Sequence, residues 1–213
     1  LSLHDALPIF ALHAIGNTYL SSSTPQAAIE SYREALEVIR KIPHASQYVK
    51  TILPQLILTK LKYHQITDIE DNIRELESVT DKGGNPQDDF HLVYCQAFYR
   101  IQTHHLPEAL NHIQQAKQIS QQHLYPYFHL MIKYLYSCYY TESKEYIQAL
   151  TTLEELLSHT RTANSYTSLQ VQKDRAHILA LMGKGKEACE AYEIFNTHKD
   201  SLDAMNYIRQ INE

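Results

Sequence analysis

A step of about forty residues recurs along this chain and sharply limits how it can fold. A small or aliphatic residue takes the same place five times, at Ala28, Ile69, Ala109, Ala149 and Ala188. The intervals are 41, 40, 40 and 39 residues. Two later positions keep the step. Tyr32, Ile73, Ile113, Leu153 and Tyr192 form one set; Ala35, Leu76, Ala116, Leu156 and Phe195 form the next. An earlier small position runs Gly16, Ala97, Ser137 and Ala176, with Ile57 as a departure in the second unit. Spacings of three and four put these residues on single helix faces. Self-similarity at such a period marks stacked units, none of which can bury its apolar face alone.

Each unit reads as two helices. In the first, Leu12, Ile15, Gly16 and Tyr19 share one face, while Ala28, Tyr32 and Ala35 lie on a second helix. Thr24 precedes Pro25, which suits an N-cap followed by a first-turn proline whose missing N–H costs nothing. Thr67 and Glu70 have capping-box spacing and are expected to open the second helix of unit two. Pro107 follows His105 near the corresponding start in unit three. Residues 81–86, with Gly83, Gly84 and Pro86, form the best break, and Gly183 with Gly185 marks the last turn. Pro54 lies inside an apolar run, where it should kink or start a helix. No alternation of period two persists. The expectation is all-α: about five helical hairpins, plus a final helix starting near Lys199.

The first unit, LHAIGNTYLSSSTPQAAIESYREAL, resembles the tetratricopeptide repeat. That resemblance implies a right-handed α-α superhelix over residues 10–198. Its repeats would span roughly 10–43, 44–82, 86–122, 126–160 and 165–198. It also implies a packing set of Gly16, Tyr19, Ala28, Tyr32, Ala97, Ala109, Ala149, Ala176, Ala188 and Tyr192. Small residues there let helices approach, and aromatics fill the space between repeats. The step exceeds the family's usual ~34 residues, so helices or loops must be extended.

Composition removes several functions. Net charge is −5, which gives this fragment no drive toward nucleic acid. No run reaches the ~18 apolar residues of a membrane helix. Only 5 glycines are present, so a phosphate cradle is hard to build, and no nucleotide-binding or hydrolase motif occurs. Cys95, Cys138 and Cys189 are far apart and odd in number, which argues against a disulfide framework. His104 and His105 are adjacent and do not share a helix face. The expectation is no catalytic residue, no metal and no cofactor.

The repeat resemblance implies a ligand groove along the first helix of each hairpin. It would carry His13, Asn17, Tyr94, Phe98, Tyr134, Cys138, Lys173 and His177, with Leu58 and Leu61 in the second unit. Such a face suits a protein or peptide partner with apolar anchors. The alternative is that Tyr94, Phe98 and Tyr134 pack the repeats together. His13 stands where a carboxylate-clamp lysine would be, so a C-terminal carboxylate is not the expected ligand.

Both ends carry a further resemblance. Tyr192, the Lys199–Asp200–Ser201–Leu202 stretch and Arg209–Gln210–Ile211 resemble the exit helix of bacterial repeat-containing sensor histidine kinases. Residues 199–213 would then begin a coiled coil, with dimerisation through it and any kinase beyond Glu213. The sensor resemblance implies a periplasmic location, with a cytoplasmic regulator's arm or a free-standing adaptor as alternatives. The string LSLHDALPI, residues 1–9, resembles translated read-through of a sequencing adapter. On that reading it stands outside the fold; the alternative is a natural helix start capped by Asp5.

Overall fold

The computed structural model describes residues 3–21, 24–43, 45–123, 125, 127–159 and 166–212. Leu1 and Ser2, at the start of the adapter-like string, lie outside them, as does Glu213. Among the described residues every regular element is a helix. These are α1 (Leu3–Ser21), α2 (Pro25–Arg40), α3 (Ser46–Lys62), α4 (Ile69–Val79), α5 (Pro86–Gln102), α6 (Leu106–Gln122), α7 (Phe128–Glu142), α8 (Tyr146–His159), α9 (Tyr166–Leu181) and α10 (Gly185–Asn212). They divide into two compact units: Leu1–Leu124, with α1 to α6, and Tyr125–Glu213, with α7 to α10. Within each unit consecutive helices pair as hairpins.

The forty-residue step reappears in the backbone of the turns. At the end of α3 the Gln65 N–H donates to the Lys60 carbonyl at 2.9 Å. His105 to Arg100 (2.8 Å), Glu145 to Tyr140 (2.8 Å) and Lys184 to Leu179 (3.0 Å) repeat it after α5, α7 and α9. Thr24 to Tyr19 (2.9 Å) is the same bond after α1. A six-to-one bond of this kind needs a left-handed residue just before its donor. His64 (φ 55), His104 (φ 60), Lys144 (φ 64) and Gly183 (φ 75) occupy that place. Only the last is glycine, the residue for which this conformation is free of Cβ strain.

The packing set lies where small size matters. Ala28, Ala97, Ala109, Ala149 and Ala176 are completely buried, and Ala188 nearly so. Gly16 is buried under the Tyr32 ring: a Cβ there would stand 2.4 Å from Tyr32 Cε1. The Tyr32 hydroxyl keeps a polar partner, donating to Asn17 Oδ1 at 2.6 Å. Tyr192 is half-buried against Ala176, Leu179, Ala188 and Ala191. Tyr19 departs from the set. It is exposed, as is Ile15, because α1 packs chiefly on α2 and these side chains do not turn toward that contact.

Two local expectations hold in part, at Thr24 and Pro54, and two are corrected. Thr24 is the N-cap of α2 but makes no side-chain cap bond; its hydroxyl donates back to the Tyr19 carbonyl at 2.9 Å. The Thr67–Glu70 capping box does not form. α4 starts at Ile69, and its N-cap is Asp68 at φ 60. The buried Lys60 ammonium donates to the Thr67 carbonyl and lies 3.9 Å from Asp68 Oδ2, which ties this turn to α3 instead. Burial holds the Lys60 pKa below the ordinary lysine range. Pro54 lies inside α3 without ending it. No separate helix starts near Lys199: α10 runs unbroken for 28 residues, with a Lys199–Asp203 pair at 2.8 Å across that point.

Candidate functional site

The first helix of each hairpin carries the residues assigned to a ligand face. In the first unit these fall on α1, α3 and α5. His13 is half-buried, and its ring lies 6.2 Å from that of Tyr32; burial lowers its pKa. Asn17 is exposed, 3.4 Å from His13 Nε2, and accepts from the Tyr32 hydroxyl. Leu58 is half-buried and Leu61 completely buried. Tyr94 and Phe98 are 3% and 2% exposed. Tyr94 stacks on Phe90 at 5.9 Å and meets Phe98 edge-on at 6.5 Å, an arrangement aromatic pairs favour inside a core. Cys95, between them in sequence, is completely buried, and burial pushes its thiol pKa far up. As they stand, these two aromatics fill the interior of the first unit and present no anchor to a partner.

In the second unit the face is open. Lys173 and His177 are exposed on α9, one turn apart. Tyr134 and Cys138 are half-buried on α7. The Tyr134 hydroxyl donates to Asp174 Oδ2 at 2.8 Å, and Gln170 Nε2 donates to Asp174 Oδ1 at 2.8 Å. Neutral donors on each oxygen fix the carboxylate between α7 and α9. The Tyr134 ring packs against the apolar cluster of Ala149, Leu153, Leu156, Val171 and Ile178. One side chain therefore joins core to surface. Sequence reasoning named Tyr134 and Lys173 but missed Gln170 and Asp174. The signal was there: Asp174 follows Lys173 on the same helix, with Gln170 one turn before it.

Chemistry of other kinds finds less to work with. Among the described residues no group of three His, Cys, Asp or Glu could hold a metal ion. None of their helices is long and apolar enough to cross a membrane. The arrangement offers polar and aromatic contacts on paired helices, which is the equipment of a binding surface.

No family model matches the sequence, and no curated protein matches it. Solved structures do. A Rap protein complexed with competence and sporulation factor superposes with a TM-score of 0.72 at 16% identity, over 95% of this chain and 57% of that one. The chain thus spans little more than half the length of that protein. TPR-like repeats ascribed to a Podosopora anserina kinesin light chain superpose at 0.55 with 15% identity, over 94% and 98% of the two chains. A singly substituted form of those repeats gives 0.54 at 15%, over 91% and 96%. The fold is a tetratricopeptide-like helical solenoid.

Proposed function

We propose that this chain is a non-catalytic scaffold that binds protein or peptide, and that it forms the input region of a bacterial signalling protein. The observation that carries the proposal is the α7–α9 face, where Tyr134, Gln170 and Asp174 form a fixed polar network beside the exposed Lys173 and His177. Hydrogen-bonding groups already tied to one another lower the ordering cost of binding. Similarity to a Rap protein solved with competence and sporulation factor supports the choice of partner class. The long α10 supports an output role: it runs for 28 residues, and His198 Nδ1 lies 2.9 Å from Gln172 Oε1 of α9 about midway along it. A change at the α7–α9 face would reach α10 through the Ala176–Leu179–Ala188–Ala191 contacts. We carry the five repeat boundaries, dimerisation through 199–213, the periplasmic location and the adapter origin of 1–9 as parts of the same proposal. A transcriptional regulator's cytoplasmic arm, or a free-standing adaptor, would use the same face.

The test is selection from a displayed random-peptide library against the whole chain, followed by calorimetry with the selected peptides. Asp174→Asn and Lys173→Glu should weaken binding about tenfold or more, as losses of charged contacts do, and Lys173→Glu, at an exposed position, should leave the thermal midpoint in place. Failure to select any peptide, or variants that bind as well as the parent, would overturn the proposal. Sequencing the gene across both ends decides between the output roles: a kinase region following α10 supports the sensor, and a helix-turn-helix supports the regulator.

A further inference from the structure

One stripe of α1 lies open where its counterpart in the next hairpin is covered. Ala11, Ala14, Ile15, Thr18 and Tyr19 are all exposed. Their spacing, i, i+3, i+4, i+7 and i+8, places them along one side of the helix. At ~100° per residue that side runs from about 60° to 200° round α1 from Gly16, so it turns away from α2. One repeat step later, at 41 residues, the same places hold Ile52, Gln55, Leu56, Thr59 and Lys60 of α3. There Ile52 and Lys60 are 1% exposed, Leu56 and Thr59 3%, and Gln55 is half-buried. The second helix of the preceding hairpin, α2, packs on α3, and Arg33 of α2 comes close enough for its charge to bear on Lys60. The stripe on α1 is therefore a helix-packing face without its helix.

Its composition agrees. From Phe10 to Leu20 the chain has no Asp, Glu, Lys or Arg, whereas a surface helix normally turns a charged face to water. Among the described residues, Ile15 and Tyr19 are the one pair of exposed large apolar side chains a turn apart on a helix. A second copy of the chain thus has no better apolar surface to offer this stripe than the same stripe. The order of sizes fits that pairing. Copies related by a twofold axis present one patch to each other. With the two α1 helices antiparallel and the axis at Ile15, Ile15 meets its own copy. Four residues to either side, the small Ala11 of each copy faces the large Tyr19 of the other. Ala14, beside the axis, lets the backbones approach. The Thr18 hydroxyl donates to the Ala14 carbonyl at 2.9 Å, so it is satisfied within its own helix. With no charge on the stripe, the copies meet without like-charge repulsion.

We propose that two copies of this chain pair through α1, antiparallel, with Ile15 on the twofold axis and Tyr19 of each copy over Ala11 of the other. One stripe on one helix buries well under the ~1,200 Å² in total of a stable complex, so the pair is weak and forms at high concentration. The face begins after Ile9 and shares no residue with the α7–α9 face, so it depends neither on the origin of residues 1–9 nor on a ligand there.

The test is sedimentation equilibrium of the whole chain over a concentration series. The mean mass should rise toward two chains, with a dissociation constant of about 0.1–1 mM. Ile15→Lys sets two ammonium groups against each other at the axis and should weaken association about tenfold or more. Ala11→Tyr and Tyr19→Ala should each weaken it, the first by a clash of two rings and the second by a gap. The double variant exchanges large and small and should recover most of the loss. Thermal midpoints check that these exposed substitutions leave each copy folded. A one-chain mass at every concentration would overturn the proposal and leave the stripe to another occupant. Association unchanged by Ile15→Lys would overturn it and move dimerisation to another element, such as α10. A double variant no better than the single ones would overturn the antiparallel pairing.

Discussion

A methyl group at position 16 probes the tightest contact in the first hairpin. Alanine suits a helix better than glycine by about 1 kcal/mol. Against that, its Cβ would meet Tyr32 Cε1 at 2.4 Å, and the Tyr32 ring is wholly buried with nowhere to retreat. Overpacking of this kind costs about 1–3 kcal/mol, so the clash wins. Gly16→Ala should lower the thermal midpoint, and adding Tyr32→Leu should recover part of the loss. Equal midpoints for Gly16→Ala and the parent would show that the ring can yield. This contact was legible in the sequence, since a glycine facing an aromatic one helix later is the pattern of close packing. The status of Tyr94 and Phe98 was not legible. A tyrosine at a groove-facing position and one turned slightly toward the neighbouring helix have the same spacing, and only the packed unit shows which is buried. The Tyr134–Asp174 bond was hidden for a related reason: its partners lie 40 residues apart on different hairpins.

The turns between paired helices offer a matched set. His64, His104, Lys144 and Gly183 hold the same left-handed place, and three of them carry side chains that this conformation strains. A left-handed L-residue costs roughly 1–2 kcal/mol, while glycine returns about 0.4–1 kcal/mol of that through the freer unfolded chain. Lys144→Gly should therefore stabilise by about 0.5–1 kcal/mol. Gly183→Ala should destabilise by a similar amount, because nothing lies within 4 Å of its Cβ position and backbone strain acts alone. Denaturant midpoints for the two variants should move in opposite directions; movement in the same direction would refute the shared geometry. The sequence announced these turns through their period. It did not announce their chemistry. Thr24 and Thr67 have good capping credentials, yet the Thr24 hydroxyl closes the end of α1, and Thr67 gives its carbonyl to Lys60. Local propensity lost to partners on the preceding helix. The reach of α10 was missed because Lys199–Asp200–Ser201 reads as a helix start, whereas the Lys199–Asp203 pair supports a helix already under way.

For the chain as a whole, stability in a repeat protein is close to a sum over hairpins and their nearest neighbours. About three repeats are needed before such a stack is stable. The first unit has three hairpins and the second has two. The first also holds most of the largest fully buried side chains, among them Tyr32, Phe90 and Phe98, whereas the second has Phe128 and otherwise leans on Leu135, Leu153, Leu156, Ile178 and several alanines. Apolar burial contributes in proportion to area, so the second unit has less to set against its ordering entropy. Hydrogen exchange on the intact chain should show this as two classes of amide. Those of α5 and α6 should exchange only through the most costly opening, while those of α8 and α9 exchange through a cheaper, partial one. The difference should persist when global stability is lowered with denaturant, until the two classes merge. A single class at every denaturant concentration would mean that five hairpins open together. A binding face on α7 and α9 would then share the stability of the core, and its partner would bias α10 no more than any other part of the chain. Two classes would place the proposed face in the part of the chain that opens at least cost, where an occupant's binding energy would most strongly bias α10.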